Sequence, residues 1–555
     1  MTQLLKVENL NLQFENQIDE KTLSDIHFQL EQGESLLLLG PSGSGKSTLT
    51  FCLNGLYPSE LDGDMQGEIF IHGKETTSYA PGELSRHVGI VFQDPETQFC
   101  MLTVEDEVAF GLENIGVPHA KMGTKIDKTL KLVGMHKYKT APITSLSGGQ
   151  KQKLALACIL VLEPELLILD EPTANLDPIA ARDLVHTIQT LKKEINCSLI
   201  IIEHQLDGWT NITERCLLLN HQGECFFDGP LRQAITEKRT LLKKEGIWLP
   251  KVTQFLLNQS YEQITMDIPL TIEEFSNRIS YWECMVTDNI RQPIMTTSQN
   301  LVDIKHLQWK FKKKTIIQDI SLQFFEGEFV AIAGANGSGK TSLSRLIAGL
   351  QHPTSGTISI KGKPILEWDE VNLRRELGYV FQNPEHQFIT HTVYDEVAYS
   401  LHLKEMTEQE INKKVNHILK VCGLVHLKNE HPFSLSQGQK RRLSVATMIV
   451  DDQQILILDE PTFGQDAHSN DELMSLLQQR YESGTTIIMI THDMELVHDY
   501  ATRVVVIDEG KVAADCKPHE LWTNTTEQLS KWQLMLPVPI QLKETMERNL
   551  THVST

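Results

Sequence analysis

Leu36–Leu49 reads LLLLGPSGSGKSTL, and Val330–Leu343 reads VAIAGANGSGKTSL. Each stretch sets an apolar strand before GxxxxGK[ST] and a helical pattern after it, the context a phosphate-binding loop requires. The glycines let backbone N–H groups converge on phosphate oxygens, and the helix start adds the positive end of its dipole. The first loop runs through Gly40, Pro41, Ser42, Gly43, Ser44, Gly45, Lys46, Ser47 and Thr48. The second runs through Gly334, Ala335, Asn336, Gly337, Ser338, Gly339, Lys340, Thr341 and Ser342. Lys46 and Lys340 are expected to reach the β- and γ-phosphates of ATP, with Ser47 and Thr341 on Mg²⁺. One such match arises by accident about once per hundred chains of this length. Two at equivalent places, each after a strand, leave little room for chance.

The repetition extends outward. VGIVFQDPETQF (Val88–Phe99) returns as LGYVFQNPEHQF (Leu377–Phe388), and SLSGGQKQKLALA (Ser145–Ala157) as SLSQGQKRRLSVA (Ser434–Ala446). LLILDEPT (Leu166–Thr173) returns as ILILDEPT (Ile455–Thr462). Lys46 and Lys340 lie 294 residues apart, Gln93 and Gln382 289, Asp170 and Asp459 289, and His204 and His492 288. A nearly constant offset means a duplicated domain. The tails echo too: GIWLPKVTQFLL (Gly246–Leu257) resembles LMLPVPIQL (Leu534–Leu542). The expected division is one domain over 1–240, an extension and linker over 241–299, a second domain over 300–530, and a C-terminal extension over 531–555. The region between the repeats mixes charges evenly and offers Trp248, Phe255, Phe275 and Trp282 for packing, so it reads as folded.

The runs ending in Asp-Glu carry the next chemistry. A continuous apolar run is the mark of a parallel strand buried on both faces. Ligands of such sheets sit at the carboxyl ends of strands, where both acids fall. Asp170 and Asp459 are expected to hold Mg²⁺, and Glu171 and Glu460 to orient or polarise the attacking water. Leu146, Ser147, Gly148, Gly149 and Gln150 precede a helical run, as do Leu435, Ser436, Gln437, Gly438 and Gln439. A Ser-Gly-Gly start offers N–H groups to an anion.

Together these residues closely resemble the ATP-binding-cassette ATPases, twice over and across nearly the whole chain. The resemblance implies two tandem α/β nucleotide-binding domains of the P-loop NTPase class. Each has a parallel sheet, a small antiparallel edge, a helical subdomain between Gln93 or Gln382 and the Ser-Gly-Gly or Ser-Gln-Gly motif, and a short C-terminal extension. It implies that the cassettes pair head to tail, each ATP lying between one phosphate loop and the other cassette's signature helix. Phe14 and Phe311 match the aromatic that stacks on adenine, although an aromatic at either place also suits a core. Gln93 and Gln382 match the Q-loop glutamine, Asp177 and Asp466 the D-loop aspartate, and His204 and His492 the switch histidine near the γ-phosphate. Gln437 departs from the pattern by replacing a glycine. By the head-to-tail rule it serves the site of Lys46, so Lys340→Ala is expected to damage turnover more than Lys46→Ala. Equal losses in ATPase assays of the two variants would reject that asymmetry.

Composition narrows the setting. The chain has 555 residues, with 51 Lys and Arg against 73 Asp and Glu, a net charge of −22. That balance argues against non-specific nucleic-acid binding, which depends on cations neutralising phosphates. No apolar run approaches the ~20 residues that span a bilayer, so docking on separate membrane subunits is expected. The nine cysteines are scattered, with no CxxC pair and no His/Cys cluster at metal spacing, as for free thiols in a reducing compartment. The segments after each Q-loop, QDPETQFCMLTVEDEVAFGLENIGVP and QNPEHQFITHTVYDEVAYSLHL, resemble the ATPases of energy-coupling-factor transporters, importers of vitamins and metal ions. There, Glu96, Gln98 and Phe99, and Glu385, Gln387 and Phe388, would border the groove that receives a transmembrane partner. The resemblance implies a transmembrane scaffold, a separate substrate-binding membrane subunit, a place on the cytoplasmic membrane face, and as cargo a vitamin or vitamin precursor such as hydroxymethylpyrimidine (HMP) or thiamine, or a metal ion. Two alternatives stand beside it. A soluble tandem-cassette translation factor is disfavoured by the neutral linker and acidic charge. A tandem sugar-importer ATPase commonly loses one catalytic acid, whereas Glu171 and Glu460 both remain.

Overall fold

The computed structural model describes residues 2–14, 21–59, 61–80, 82–195, 197–258, 268–277, 299–404, 406–462 and 464–553. Trp282 and the linker stretch Pro293–Ile294 lie outside them. The chain divides into two compact units, the first Met1–Leu176 with Ala180–Asn277, the second the remainder.

In the first unit the runs without a polar residue become the centre of a six-stranded sheet. Its order is Cys225–Pro230, Arg215–Leu219, Ser35–Leu39, Ser198–Ile202, Leu166–Asp170, Val88–Val91. All neighbours are parallel except the first pair. Ser35–Leu39, Leu166–Asp170 and Ser198–Ile202 are buried at every position. That explains their lack of alternation, since both faces are covered. A four-stranded antiparallel sheet stands beside it, ordered Leu23–Glu31, Gln3–Gln13, Asp64–Ile71, Lys74–Glu75. Here one face only is buried, and Leu23–Glu31 alternates accordingly.

The second unit repeats both sheets strand for strand. The order is Lys511–Cys516, Arg503–Asp508, Phe329–Ala333, Thr486–Ile490, Ile455–Asp459, Leu377–Val380, with Lys314–Phe325, Asn300–Phe311, Ser355–Ile360 and Lys363–Pro364 in the antiparallel sheet. The duplicated sequence thus folds as two cassettes of the expected α/β class.

Helical subdomains follow each Q-loop. In the first unit they comprise Val104–Asn114, His119–Leu132 and Gly148–Leu160; in the second, Val393–His402, Glu408–Val421 and Gln437–Ile449. Thr103 and Thr392 cap the first helix of each set by accepting from the N–H groups of Asp106 and Asp395. Short helices close each unit. Leu231–Glu237, Arg239–Lys244, Lys251–Asn258 and Ile272–Ser276 bury Leu242, Leu256 and Phe275. Pro518–Leu521, Thr526–Lys531 and Val538–Val553 bury Leu521, Trp532 and Leu542. Trp248 and Phe255 are half-buried.

Candidate functional site

Both phosphate loops sit at the carboxyl end of a central strand and open a helix, Lys46–Leu53 or Lys340–Ile347. The residue before each helix is a glycine in the left-handed region, Gly45 at φ 84° and Gly339 at φ 108°. A Cβ on Gly45 would come within 2.7 Å of the Thr22 carbonyl oxygen, so glycine is required for space as well as for φ. Lys46 Nζ donates to the carbonyls of Gly40 (2.8 Å) and Pro41 (2.7 Å). Lys340 does the same to Gly334 and Ala335, both at 2.8 Å. Both ammonium groups are buried inside their own loops, and burial lowers the pKa of Lys340.

The Asp-Glu pairs end their strands beside these loops. Asp170 and Asp459 are buried, and desolvation followed by the neighbouring glutamate pushes each carboxyl up to about 6. The side chain of Ser47 bonds Asp170, and Thr341 Oγ1 donates to Asp459 Oδ1 at 3.2 Å. Tyr379 hydroxyl adds a bond to Asp459 Oδ2 at 3.3 Å. Glu171 and Glu460 adopt positive φ, 45° and 52°, with their N–H groups on Ile202 and Ile490 carbonyls at 3.0 Å. In the first cassette Gln93 Nε2 donates to Glu171 Oε2 (2.8 Å) while His204 Nε2 meets Oε1 at 3.0 Å. Burial works against the charged form of Glu171, but His204 and Lys46 outweigh it and hold the carboxyl below its ordinary range. In the second, His492 Nδ1 meets Glu460 Oε2 at 2.7 Å, and this partner raises the His492 pKa against the effect of burial.

The residues suit ATP and Mg²⁺. Ser44 Oγ and Ser338 Oγ are buried in the loops without a hydrogen-bond partner, so each is available to an anion. Hydroxyl and carboxylate oxygens, Ser47 with Asp170 and Thr341 with Asp459, form the hard donor set Mg²⁺ prefers.

The remaining expected residues fall as follows. Gln382 is exposed, and Phe311 is 57% exposed beside Trp309. Phe14 is half-buried and packs edge-on against Tyr57, with ring centroids 5.9 Å apart. Asp177 is buried at the start of helix Pro178–Glu194, and Asp466 caps helix Ala467–Glu482 through the Ser469 N–H. The LSGGQ and LSQGQ motifs prove to be capping boxes. Ser147 accepts from the Gln150 N–H while the Gln150 side chain returns to the Ser147 N–H, and Ser436 and Gln439 repeat this. Ser-x-x-Gln ahead of an apolar run was the available sequence signal. Gln437 is exposed and leaves its capping box undisturbed.

Two buried residues escaped the sequence reading. Glu203 Oε1 accepts from Thr173 N–H (3.0 Å) and Oγ1 (2.5 Å), and Oε2 accepts from the His204 N–H (3.2 Å). Burial pushes its carboxyl up to about 8. The equivalent residue in the second cassette is Thr491. Arg441 donates to the Phe381 carbonyl at 2.8 Å where the first cassette has Gln152 on the Gln93 carbonyl at 3.2 Å.

Two phosphate loops on duplicated parallel sheets, each facing a buried aspartate, the glutamate that follows it and a histidine, define a nucleotide-hydrolysing cassette protein. The ABC transporter family profile matches residues 23–174 and 317–463. The chain belongs to the ABC transporter family and is one of its ATPases. It is 44% identical over 538 residues to YkoD of Bacillus subtilis strain 168, provisionally named an HMP/thiamine import ATP-binding protein, covering 97% of this chain and 95% of that one. It is 33% identical over 556 residues to TTE1589 of Caldanaerobacter subterraneus, provisionally named an ABC transporter ATP-binding protein, covering 99% and 97%. The structure of cbiO1 from Clostridium perfringens, described as part of the ABC transporter complex cbiONQ, is 34% identical with a TM-score of 0.38, covering 44% of this chain and all of that one.

Proposed function

We propose that the chain is the energy-coupling ATPase of a membrane importer of the energy-coupling-factor type, and that its cargo is HMP, thiamine or a close relative of these. It would act at the cytoplasmic membrane face on a transmembrane scaffold that works with a separate substrate-binding subunit. The observation that carries this reading is a groove of about 480 Å³ beside the first Q-loop. It is lined by Phe99, Met101, Leu102 and Ile143, with Glu96 and Lys151 at its charged edge. Leu102 is 83% exposed there. An apolar groove with a charged rim suits an amphipathic helix of a partner. Among the described residues no helix is long and apolar enough to cross a membrane, in keeping with a membrane part on other subunits.

The residues then divide the work. Lys46 and Lys340 exchange their loop carbonyls for phosphate oxygens, and the loop N–H groups and serines complete the cradle. Mg²⁺, held by Ser47 with Asp170 and by Thr341 with Asp459, would neutralise charge developing on the phosphates. Glu171, charged and held between Gln93 and His204, orients the attacking water and accepts its proton; Glu460 does so beside His492. The Gln93–Glu171 contact links the chemistry to the groove, because Gln93 leads directly into the turn Pro95–Gln98 that carries Glu96.

Purification of the tagged chain from its native membrane in mild detergent tests the reading. A transmembrane scaffold should co-purify, and Leu102→Asp should remove it while leaving ATP binding intact. Recovery of ribosomal proteins alone would sink the importer reading in favour of the translation-factor one.

A further inference from the structure

Sequence spacing suggests no metal cluster, but the fold gathers one from three separated segments. His72 lies in the turn after strand Asp64–Ile71, His87 just before strand Val88–Val91, and Glu165 just before strand Leu166–Asp170. One ligand atom from each falls within 4.8 Å of the others. Glu165 divides its carboxylate between the two rings: Oε2 meets His72 Nε2, and Oε1 meets His87 Nδ1 at 3.2 Å. Two imidazole nitrogens and a carboxylate oxygen form a donor set for a first-row divalent metal of the Zn²⁺ kind. All three side chains are about one-third exposed, which leaves water access to the remaining coordination positions.

The backbone already fixes the three residues against one another. The His87 carbonyl accepts from the Glu165 N–H (3.1 Å) and the Leu166 N–H (2.9 Å), and the His72 N–H donates to Leu4 (2.8 Å). Tyr79 packs edge-on against the His87 ring and anchors its hydroxyl on the Ile71 carbonyl at 3.1 Å. Such outer contacts orient metal-binding imidazoles. A bound ion would therefore meet little ordering cost.

The duplicate supplies an internal comparison. At the equivalent positions the second cassette has Lys361, Glu376 and Gln454. Lys361 Nζ and Glu376 Oε2 form an ion pair at 2.5 Å. The same joint between sheets is thus closed by charge in one cassette and by a His–Glu–His group in the other. Folding of the joint does not demand histidines.

We propose that His72, His87 and Glu165 bind one divalent transition-metal ion of the Zn²⁺ class, pinning the antiparallel sheet to the entry edge of the parallel sheet in the first cassette. The site lies at the opposite end of strand Leu166–Asp170 from the catalytic acids, about 17 Å away at 3.3 Å per residue. It is distinct from the Mg²⁺ positions.

The test uses the full chain, stripped by a chelator and titrated with Zn²⁺ against a chromophoric competitor. The double substitution His72→Lys with His87→Glu copies the second cassette's ion pair, and its Mg²⁺-dependent ATPase activity reports folding. Glu165→Gln, which copies Gln454, is the second variant and keeps both imidazoles. The parent should bind one Zn²⁺ more tightly than either variant, by at least the about 10–100-fold that even loss of an outer-shell contact costs, and only the parent should gain thermal midpoint on Zn²⁺ addition. Co²⁺ should give d–d absorption in the parent that both variants lack. Equal Zn²⁺ binding by parent and variants, or no binding by the parent, would reduce the cluster to a hydrogen-bonded joint and overturn the proposal.

Discussion

Glu171 and Glu460 occupy left-handed backbone positions at strand ends, with their N–H groups tied to the neighbouring strand. That conformation is costly for a glutamate and is tolerated where surrounding contacts over-determine it. It turns each carboxylate toward its histidine. Glu171→Gln together with Glu460→Gln should lower ATP turnover by about 10²–10⁴-fold, the usual worth of a general base, while nucleotide binding persists. Retained parental turnover would show that another group activates the water. Glu203 makes a separate prediction. Its pKa is raised in the fold, so between the ordinary carboxylate range and about 8 the folded chain holds a proton the unfolded chain has lost. Its contribution to stability therefore falls as pH rises through that window. Glu203→Thr, which copies Thr491, should shift thermal midpoint in the variant's favour on going from pH 6 to pH 9. The opposite drift would contradict a buried neutral acid. The motif residues were legible because their chemistry is written in short contiguous strings. Glu203 was not, because its importance arises only when the loop of His204 closes over Thr173.

At the scale of elements, the helix opened by each capping box is strapped to the turn after the Q-loop. Lys151 Nζ meets Glu96 Oε1 at 2.5 Å, and Lys440 meets Glu385 Oε1 at 2.6 Å. Glu96 and Glu385 stay partly solvated, so each pair is worth about 0–1 kcal/mol of stability at most. On the proposed function, the duplicated strap would carry the groove along when the Q-loop moves. Glu96→Gln with Glu385→Gln should leave thermal midpoint nearly unchanged and spare the ATPase of the free chain. It should reduce any additional ATPase activity that the proposed membrane partner elicits. Equal losses with and without the partner would place the straps in hydrolysis itself. The central strands were readable as uninterrupted apolar runs, since burial on both faces leaves no polar alternation. The capping boxes were hidden inside motifs read for anion binding, and the His72–His87–Glu165 group joins segments more than 70 residues apart in part. Spacing rules see neither.

For the whole molecule, duplication is the organising fact, and divergence between the copies is its consequence. Glu203 against Thr491, Gln152 against Arg441, and the histidine group against Lys361–Glu376 all distinguish cassettes that share every strand. The surfaces beside the Q-loops differ as well. The first offers Leu102, and the second Ile389, His391 and Phe433, with the His391 and His431 rings 5.9 Å apart. Unequal surfaces suit unequal partner segments, and Leu102→Asp and Ile389→Asp should each weaken co-purification of the scaffold without abolishing ATP binding. With a net charge of −22 the chain is repelled by anionic lipid, so the proposed membrane attachment would rest on such specific contacts. Hydrolysis in these cassettes drives import. Uptake of labelled HMP and thiamine should be measured in cells that depend on this chain, against the same cells carrying Glu171→Gln and Glu460→Gln. Accumulation should collapse in the variant while the chain stays membrane-associated. Undiminished accumulation of both compounds would contradict it.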